Sequence, residues 1–486
     1  MKRSSALFSA IIRNVKQILY SRYGFLAGTW LLSAARLGGK LFPSTLIDAF
    51  ALHVGRVLVV IAHRSGLMLY AGSGSYIGPW VVSALSGLEG YLREVVTRSA
   101  AELTASCAPR KVPGPEIVFA TSFVSPKGGH GRLLRTYLSN FKRSALLLSG
   151  EALLKRRKER IAFIDDQRAE AERMYGRAGS LIIVDQDPTL SPYRKYRSLH
   201  SKLDSIGPQM IVLFATVTDI PLLLSVWTYR QRHQNVRVLY YHHADDYFPF
   251  FGASFDAHID LDANQESKCR HIAARHLIRI SVPERAPIGS PCRWDKGGTA
   301  FSFVKPDKAV LGNGSRGFFE LVAELTRIGI KVILATTRGG TKRLIEQLSG
   351  CSALLPLITI DENCLDIAKY RDVANIYLDT FPIGGGMSIV DALSIGLPIA
   401  LNAAPGNQIF RDPVLEHFMF AGTPEIMSYM RRLGADPAYY AQERNIAYEV
   451  YRRYYSESTM LDRFAKAAED VLGQKPPRIT QGELVW

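Results

Sequence analysis

Short apolar runs recur along the chain, spaced so that a helix fits between one and the next. A first series lies at 117–120, 145–148, 181–184, 210–215, 236–241 and 258–261. A parallel strand covered on both faces shows such a continuous run, whereas a half-exposed strand alternates apolar and polar positions. A second series follows a proline-rich stretch at 283–291, with runs at 301–304, 332–335, 354–360, 376–378 and 398–401. Helix patterns stand between the runs, as at 317–327 and 388–395, and Leu133, Leu134 and Leu138 share one helix side after the first run. Two consecutive strand–helix series predict an α/β protein of two doubly wound domains facing each other across a cleft. The expected divisions are 1–110, a mainly helical extension; 111–285, the first α/β domain; and 286–486, the second, with closing helices at 437–472. Tyr439, Tyr440, Tyr448, Tyr451, Tyr454 and Tyr455 cluster in that tail and are expected to pack rather than to stack on bases.

Composition changes this picture little. The 486 residues are 47% hydrophobic and 21% charged, which excludes wholesale disorder and allows several cores without staples. Cys107, Cys269, Cys292, Cys351 and Cys364 share no C-x-x-C spacing, so no zinc knuckle or redox pair is visible. So sparse and odd a set fits a reducing cytoplasm.

Charge changes it more. The formal net charge is +16, and the first 110 residues carry twelve Lys and Arg against four Asp and Glu. Half of the surplus therefore sits in less than a quarter of the chain. A basic excess attracts phosphates of nucleic acid, anionic lipid or nucleotide. No RNA-binding or helix-turn-helix signature is present, so nucleic acid is not expected. Residues 65–88 are long enough for a membrane span, but Gly66, Gly72, Gly74, Gly78, Pro79 and Gly87 interrupt them. Buried helices with a turn are the expectation there, and Arg13 and Lys16 break up any signal-peptide pattern at the start. The charge-rich stretch 153–177 reads as a solvated helix.

Residues 378–399 carry the most chemistry. A strand ends at Leu378, and Gly384, Gly385 and Gly386 then allow close approach of a ligand and positive φ. A helix starts near Met387, and its unpaired N–H groups favour an anion. Ser388 adds a hydroxyl donor, and Asp391 lies one turn further in, where a carboxylate suits a pair of sugar hydroxyls better than a phosphate. Gly396 closes the helix and Pro398 opens the next strand. A diphosphate joined to a ribose matches this order of groups.

The segment resembles the donor-site motif of GT-B glycosyltransferases, in particular the branch of O-GlcNAc transferase and the bacterial adhesin N-glycosyltransferases. Asp379, Thr380, Pro382, Ser388, Asp391, Gly396 and Pro398 match that pattern, while Gly386 and Met387 replace a His and a Thr common there. The detailed match spans about 22 residues, with a looser one from about Thr299 onward. The resemblance implies the GT-B fold, two facing Rossmann-like domains, and transfer of a sugar from a UDP-linked nucleotide donor. It implies that Asp391 holds the ribose. It further implies that a Lys in the loop after the second domain's first strand, Lys305 or Lys308, neutralises the diphosphate without a bound metal ion. Arg338, at another strand end, is a comparable candidate.

On the facing side, Gly128, Gly129, His130 and Gly131 follow a strand, like the cleft-lining turn of the same enzymes. His130 either donates to a phosphate, acts as a base with an ordinary pKa of about 6.5, or is structural. Tyr240 to Asp246 end another strand, and His243 and Asp245 are expected near the acceptor. Adjacent side chains point apart and no third ligand is identifiable, so no metal site is expected. Gly312 to Ser315 read as a turn and cap. The acceptor is expected to be a cell-envelope glycan or a protein, and the location cytoplasmic, with 1–110 resting on the anionic inner face of the membrane. Two rivals remain: a sugar-nucleotide epimerase-like enzyme on the same fold, and a non-catalytic membrane-associated binding protein.

Overall fold

The computed structural model describes most of residues 116–473, together with Glu89, Gly90, Leu92 and Arg93. The rest of the expected extension, including 65–88, lies outside the described residues, as does most of 153–177. The four early residues are helical. They dock on the body of the protein: the Arg93 guanidinium lies 5.7 Å from the ring centre of Trp227 and 5.5 Å from that of Phe251, and Glu89 accepts the Phe251 N–H at 3.0 Å.

Two all-parallel sheets form the frame. The first comprises β1 (Ile117–Thr121), β2 (Ser144–Leu148), β3 (Ser180–Ile183), β4 (Met210–Phe214), β5 (Arg237–His242), β6 (Ala257–Asp260) and β7 (Arg275–Leu277), in the order β3-β2-β1-β4-β5-β6-β7. The second comprises β8 (Thr299–Phe303), β9 (Lys331–Ala335), β10 (Ile358–Asp361), β11 (Ile376–Leu378), β12 (Ile399–Asn402) and β13 (Met419–Phe420), in the order β10-β9-β8-β11-β12-β13. Each order reverses direction once, between β1 and β4 and between β8 and β11. A crevice forms outside the carboxyl ends of the strands at such a switch point.

The helices follow from local chemistry. The first-sheet helices are α1 (Gly129–Asn140), α2 (Pro192–Ile206) and α3 (Ile220–Arg232). Ser191 caps α2 by accepting the Arg194 N–H, Pro192 starts it, and Gly207 at φ 64° ends it. Asp219 caps α3 through the Leu222 N–H. In the second half α4 (Pro306–Ala309), α5 (Gly317–Arg327), α6 (Thr341–Leu348), α7 (Met387–Ser394), α8 (Thr423–Ala435) and α9 (Pro437–Val450) follow. A π-helical turn, Tyr451–Tyr455, then leads into α10 (Glu457–Leu472). Among the described residues, no helix is long and apolar enough to cross a membrane.

The central strands β1, β2, β4, β11 and β12 are buried along their whole length, as their unbroken apolar runs require, while β10 and β13 are only partly buried. One continuous apolar core includes residues of both sheets, from Phe119, Tyr137 and Phe214 to Phe301, Ile389 and Leu401. The last helix, α10, lies against the first sheet although it follows the second in sequence. The Phe464 ring packs tilted against Tyr137 at 4.5 Å and Phe141 at 5.0 Å, and stacks on Phe119 at 6.2 Å. Tyr440, Tyr451 and Tyr455 are buried, so the tail tyrosines do pack. Two strands carry no apolar run, β7 and β13. Both are edge strands of three and two residues, too short for a periodic signal.

Candidate functional site

The two switch points bring the first turn of α1, which follows β1, against α7, which follows β11. After Leu378 the chain enters a turn organised by Asp379, which is 1% exposed. Its carboxylate accepts the Gly385 N–H at 3.2 Å to each oxygen and the Tyr377 hydroxyl at 3.2 Å. Burial, followed by the Asp379 charge, pushes the Tyr377 hydroxyl well above its ordinary range, so it stays a donor. Thr380 closes the turn by donating to the Ile383 carbonyl at 3.0 Å. Helix α7 then starts at Met387 without a side-chain cap. Its first intrahelical bond runs from Val390 N–H to Gly386 carbonyl at 3.3 Å. The N–H groups of Met387, Ser388 and Ile389 have no intrahelical partner and make the positive end of the helix.

The glycines work differently from the expectation of positive φ. None of Gly384, Gly385 and Gly386 has positive φ, while Gly396, at φ 71°, does close the helix. Their smallness is used for packing. A Cβ on Gly385 would lie 2.5 Å from Ser388 Oγ, and one on Gly386 would lie 3.2 Å from both Ile280 and Phe410. The Gly385 N–H is also committed to Asp379, which leaves the amides from Gly386 onward as the anion-facing set.

Asp391 is buried, at 4% exposure. Its partner comes from the helix that follows β1 of the other sheet: Arg132 Nη1 lies 3.0 Å from Asp391 Oδ1 and 2.9 Å from Oδ2. Arg132 stands in the first turn of α1, two residues after His130. The two side chains leave the helix in different directions. The His130 ring is stacked on Phe123 at 5.3 Å and meets the edge of Phe214 at 5.2 Å. Thr121 Oγ1 donates to the Phe123 carbonyl at 2.9 Å and contacts His130 Nε2 at 2.8 Å. With the Thr121 proton so used, the pattern assigns the ring proton to Nε2, and Nδ1 is buried away from solvent.

Lys305 is exposed, just beyond the carboxyl end of β8. Arg338, His243 and Asp245 lie outside the described residues, as do 312–315. Tyr240 and Tyr241, which precede His243, are buried in β5. The structure thus brings Asp391 together with Arg132, and places His130 and Ser388 in the first turns of α1 and α7 and Lys305 just beyond β8. Sequence reading missed Arg132. A basic residue in the first helical turn after a glycine-rich switch-point loop was the available signal.

No protein-family model matches the sequence, and no curated protein matches it either. Solved structures do match in three dimensions. Anabaena Alr3699/HepE in complex with UDP aligns at a TM-score of 0.54 and 13% identity, over 73% of this chain and 100% of that one. A glycosyltransferase from Rickettsia africae aligns at 0.53 and 9% identity, over 74% and 100% of the two chains. A mutant Thermobaculum terrenum O-GlcNAc transferase aligns at 0.50 and 14% identity, over 91% and 88%. The two parallel doubly wound sheets with their covering helices match these structures: the chain has the GT-B fold.

Proposed function

We propose that the protein is a glycosyltransferase that moves a sugar from a UDP-linked nucleotide donor to a cell-envelope glycan or a protein side chain. The observation that carries this reading is the position of Asp391. A buried carboxylate one turn inside an uncapped helix start, facing the opposite sheet across the cleft, is placed for a ribose diol beside a diphosphate. The complex of the similar Anabaena protein with UDP supports it.

In this reading Asp391 holds the ribose. Gly384, Gly385, Gly386, Met387 and Ser388 form the diphosphate cradle, with Lys305 and Arg338 as its cations. The leaving diphosphate gains negative charge as the glycosidic bond breaks, and donors already aimed at it stabilise that charge without reorganisation. His130, His243 and Asp245 serve the acceptor hydroxyl from the first α/β domain. Residues 1–110 bring this machinery to an anionic membrane surface on its cytoplasmic side.

The test is donor binding and sugar-nucleotide hydrolysis by the purified chain and by Asp391→Ala. Loss of the hydrogen bonds from a diol to a carboxylate should weaken the donor by about tenfold or more. Donor affinity unchanged in Asp391→Ala would sink the assignment.

A further inference from the structure

Gly386, the residue before helix α7, is gripped by two side chains. A Cβ there would lie 3.2 Å from Ile280 Cδ1 and 3.2 Å from the Phe410 ring, and both of those side chains are buried. Ile280 follows β7 of the first sheet, and Phe410 follows β12 of the second. Each is anchored by a neighbour in sequence. Arg279, just before Ile280, makes a two-bond ion pair with Asp412, which stands two residues after Phe410. Beyond Ile280, the Val282 carbonyl accepts the Tyr451 hydroxyl at 2.9 Å, and Val282 pairs with Ser456 in a parallel bridge. We propose that Arg279 and Asp412 are positioning residues of the donor site. Through Ile280 and Phe410 they fix Gly386, and so aim the first amides of α7 at the diphosphate. This rests on the donor reading above.

The pair is built for geometry more than for attraction. Its two charges oppose each other, so together they pull only weakly on an incoming anion. Each Asp412 oxygen meets two donors. Oδ1 accepts from Arg279 Nη2 and the Val414 N–H, and Oδ2 from Arg279 Nε and the Tyr455 hydroxyl. A carboxylate bound in this way cannot turn or slide without breaking a bond. A buried ion pair adds little stability over apolar packing of the same volume, but its forked bonds fix a direction that apolar contacts leave loose. Ile280 and Phe410 thereby become rigid jaws on the helix start. Amides stabilise a phosphate oxygen only when already aimed at it, and the bond weakens steeply off line. Asp391 lies further along α7 and is held separately, by Arg132 from α1. Loosening the jaws should therefore harm the grip on the diphosphate more than the grip on the ribose.

The experiment is calorimetric titration of the full chain, wild type, Arg279→Lys and Tyr455→Phe, with UDP and with uridine, well below each melting temperature. Arg279→Lys keeps the charge but not the fork. Tyr455→Phe keeps the buried ring and removes one bond to Asp412, and it keeps the test decisive if melting shows Arg279→Lys unfolded. UDP should bind about tenfold more weakly to Arg279→Lys and about threefold more weakly to Tyr455→Phe. Uridine should stay within about twofold of wild type in both. A purely structural pair would weaken UDP and uridine together, since both need the same folded chain, or would change neither. Either result would overturn the proposal and leave the donor reading standing. A wild type that does not bind UDP would remove the donor reading and the proposal together.

Discussion

Arg279 and Asp412 form a buried ion pair that joins the segment after β7 to the loop after β12. The Arg279 Nη2 donates to Asp412 Oδ1 at 2.9 Å and its Nε to Oδ2. The Tyr455 hydroxyl adds a third bond to Oδ2 at 2.9 Å, and Asp412 also caps the short helix Pro413–Phe418 through the Val414 N–H. Three distant segments thus meet at one fully buried carboxylate. Burial and the Asp412 charge raise the Tyr455 hydroxyl far above its ordinary range, so it donates at every accessible pH. Asp412→Ala strands the Arg279 charge and should cost about 3–5 kcal/mol, against about 1 kcal/mol for Tyr455→Phe. Urea unfolding of the two variants measures the difference.

Gly386→Ala tests the packing role of the glycine turn. Its methyl group would lie 3.2 Å from Ile280 and from Phe410, closer than well-packed carbons sit. Overpacking should cost about 1–3 kcal/mol, and because the start of α7 must shift to relieve it, nucleotide affinity should fall as well. Thermal melting and a nucleotide titration read the two effects separately.

Phe464→Ala should damage the first sheet from the far end of the chain. Phe464 is fully buried among Phe119, Tyr137 and Phe141, and deleting its ring should cost about 3–5 kcal/mol. Hydrogen exchange should then show loss of protection in β1 and α1.

His276 in β7 predicts an acid-side weakening. Burial holds its imidazole below the ordinary value of 6.5, outweighing the opposite pull of Asp470. The fold therefore favours the neutral ring. Its contribution is fully present above pH 6.5 and is lost as pH falls from there through the lowered folded value. Urea midpoints measured at about pH 7.5 and about pH 5.5 should fall further for the wild type than for His276→Gln.

What was legible in the sequence follows from what is local. Runs such as 117–120 and 210–215 announce buried parallel strands because every position is covered. The Met387 helix start and the Gly396 stop are written in adjacent residues. Asp391 was legible for the same reason. Its partner was not, because 259 positions separate Arg132 from it, and no local pattern encodes a contact between two sheets. The glycines at 384–386 were legible as a tight turn, but their cause was misread. Small size against Ser388, Ile280 and Phe410 demands them, and only the packed structure shows those neighbours. Edge strands β7 and β13 left no pattern at all.

The return of α10 to the first sheet sets an order of events during synthesis. The ribosome releases β1, α1 and β5 long before Phe464 exists. Until the last helix emerges, Phe119, Tyr137 and Phe141 lack the ring that packs among them. The first sheet thus precedes the second in the chain but is finished by the segment after it, which makes the two halves one unit of biosynthesis rather than two that mature in turn.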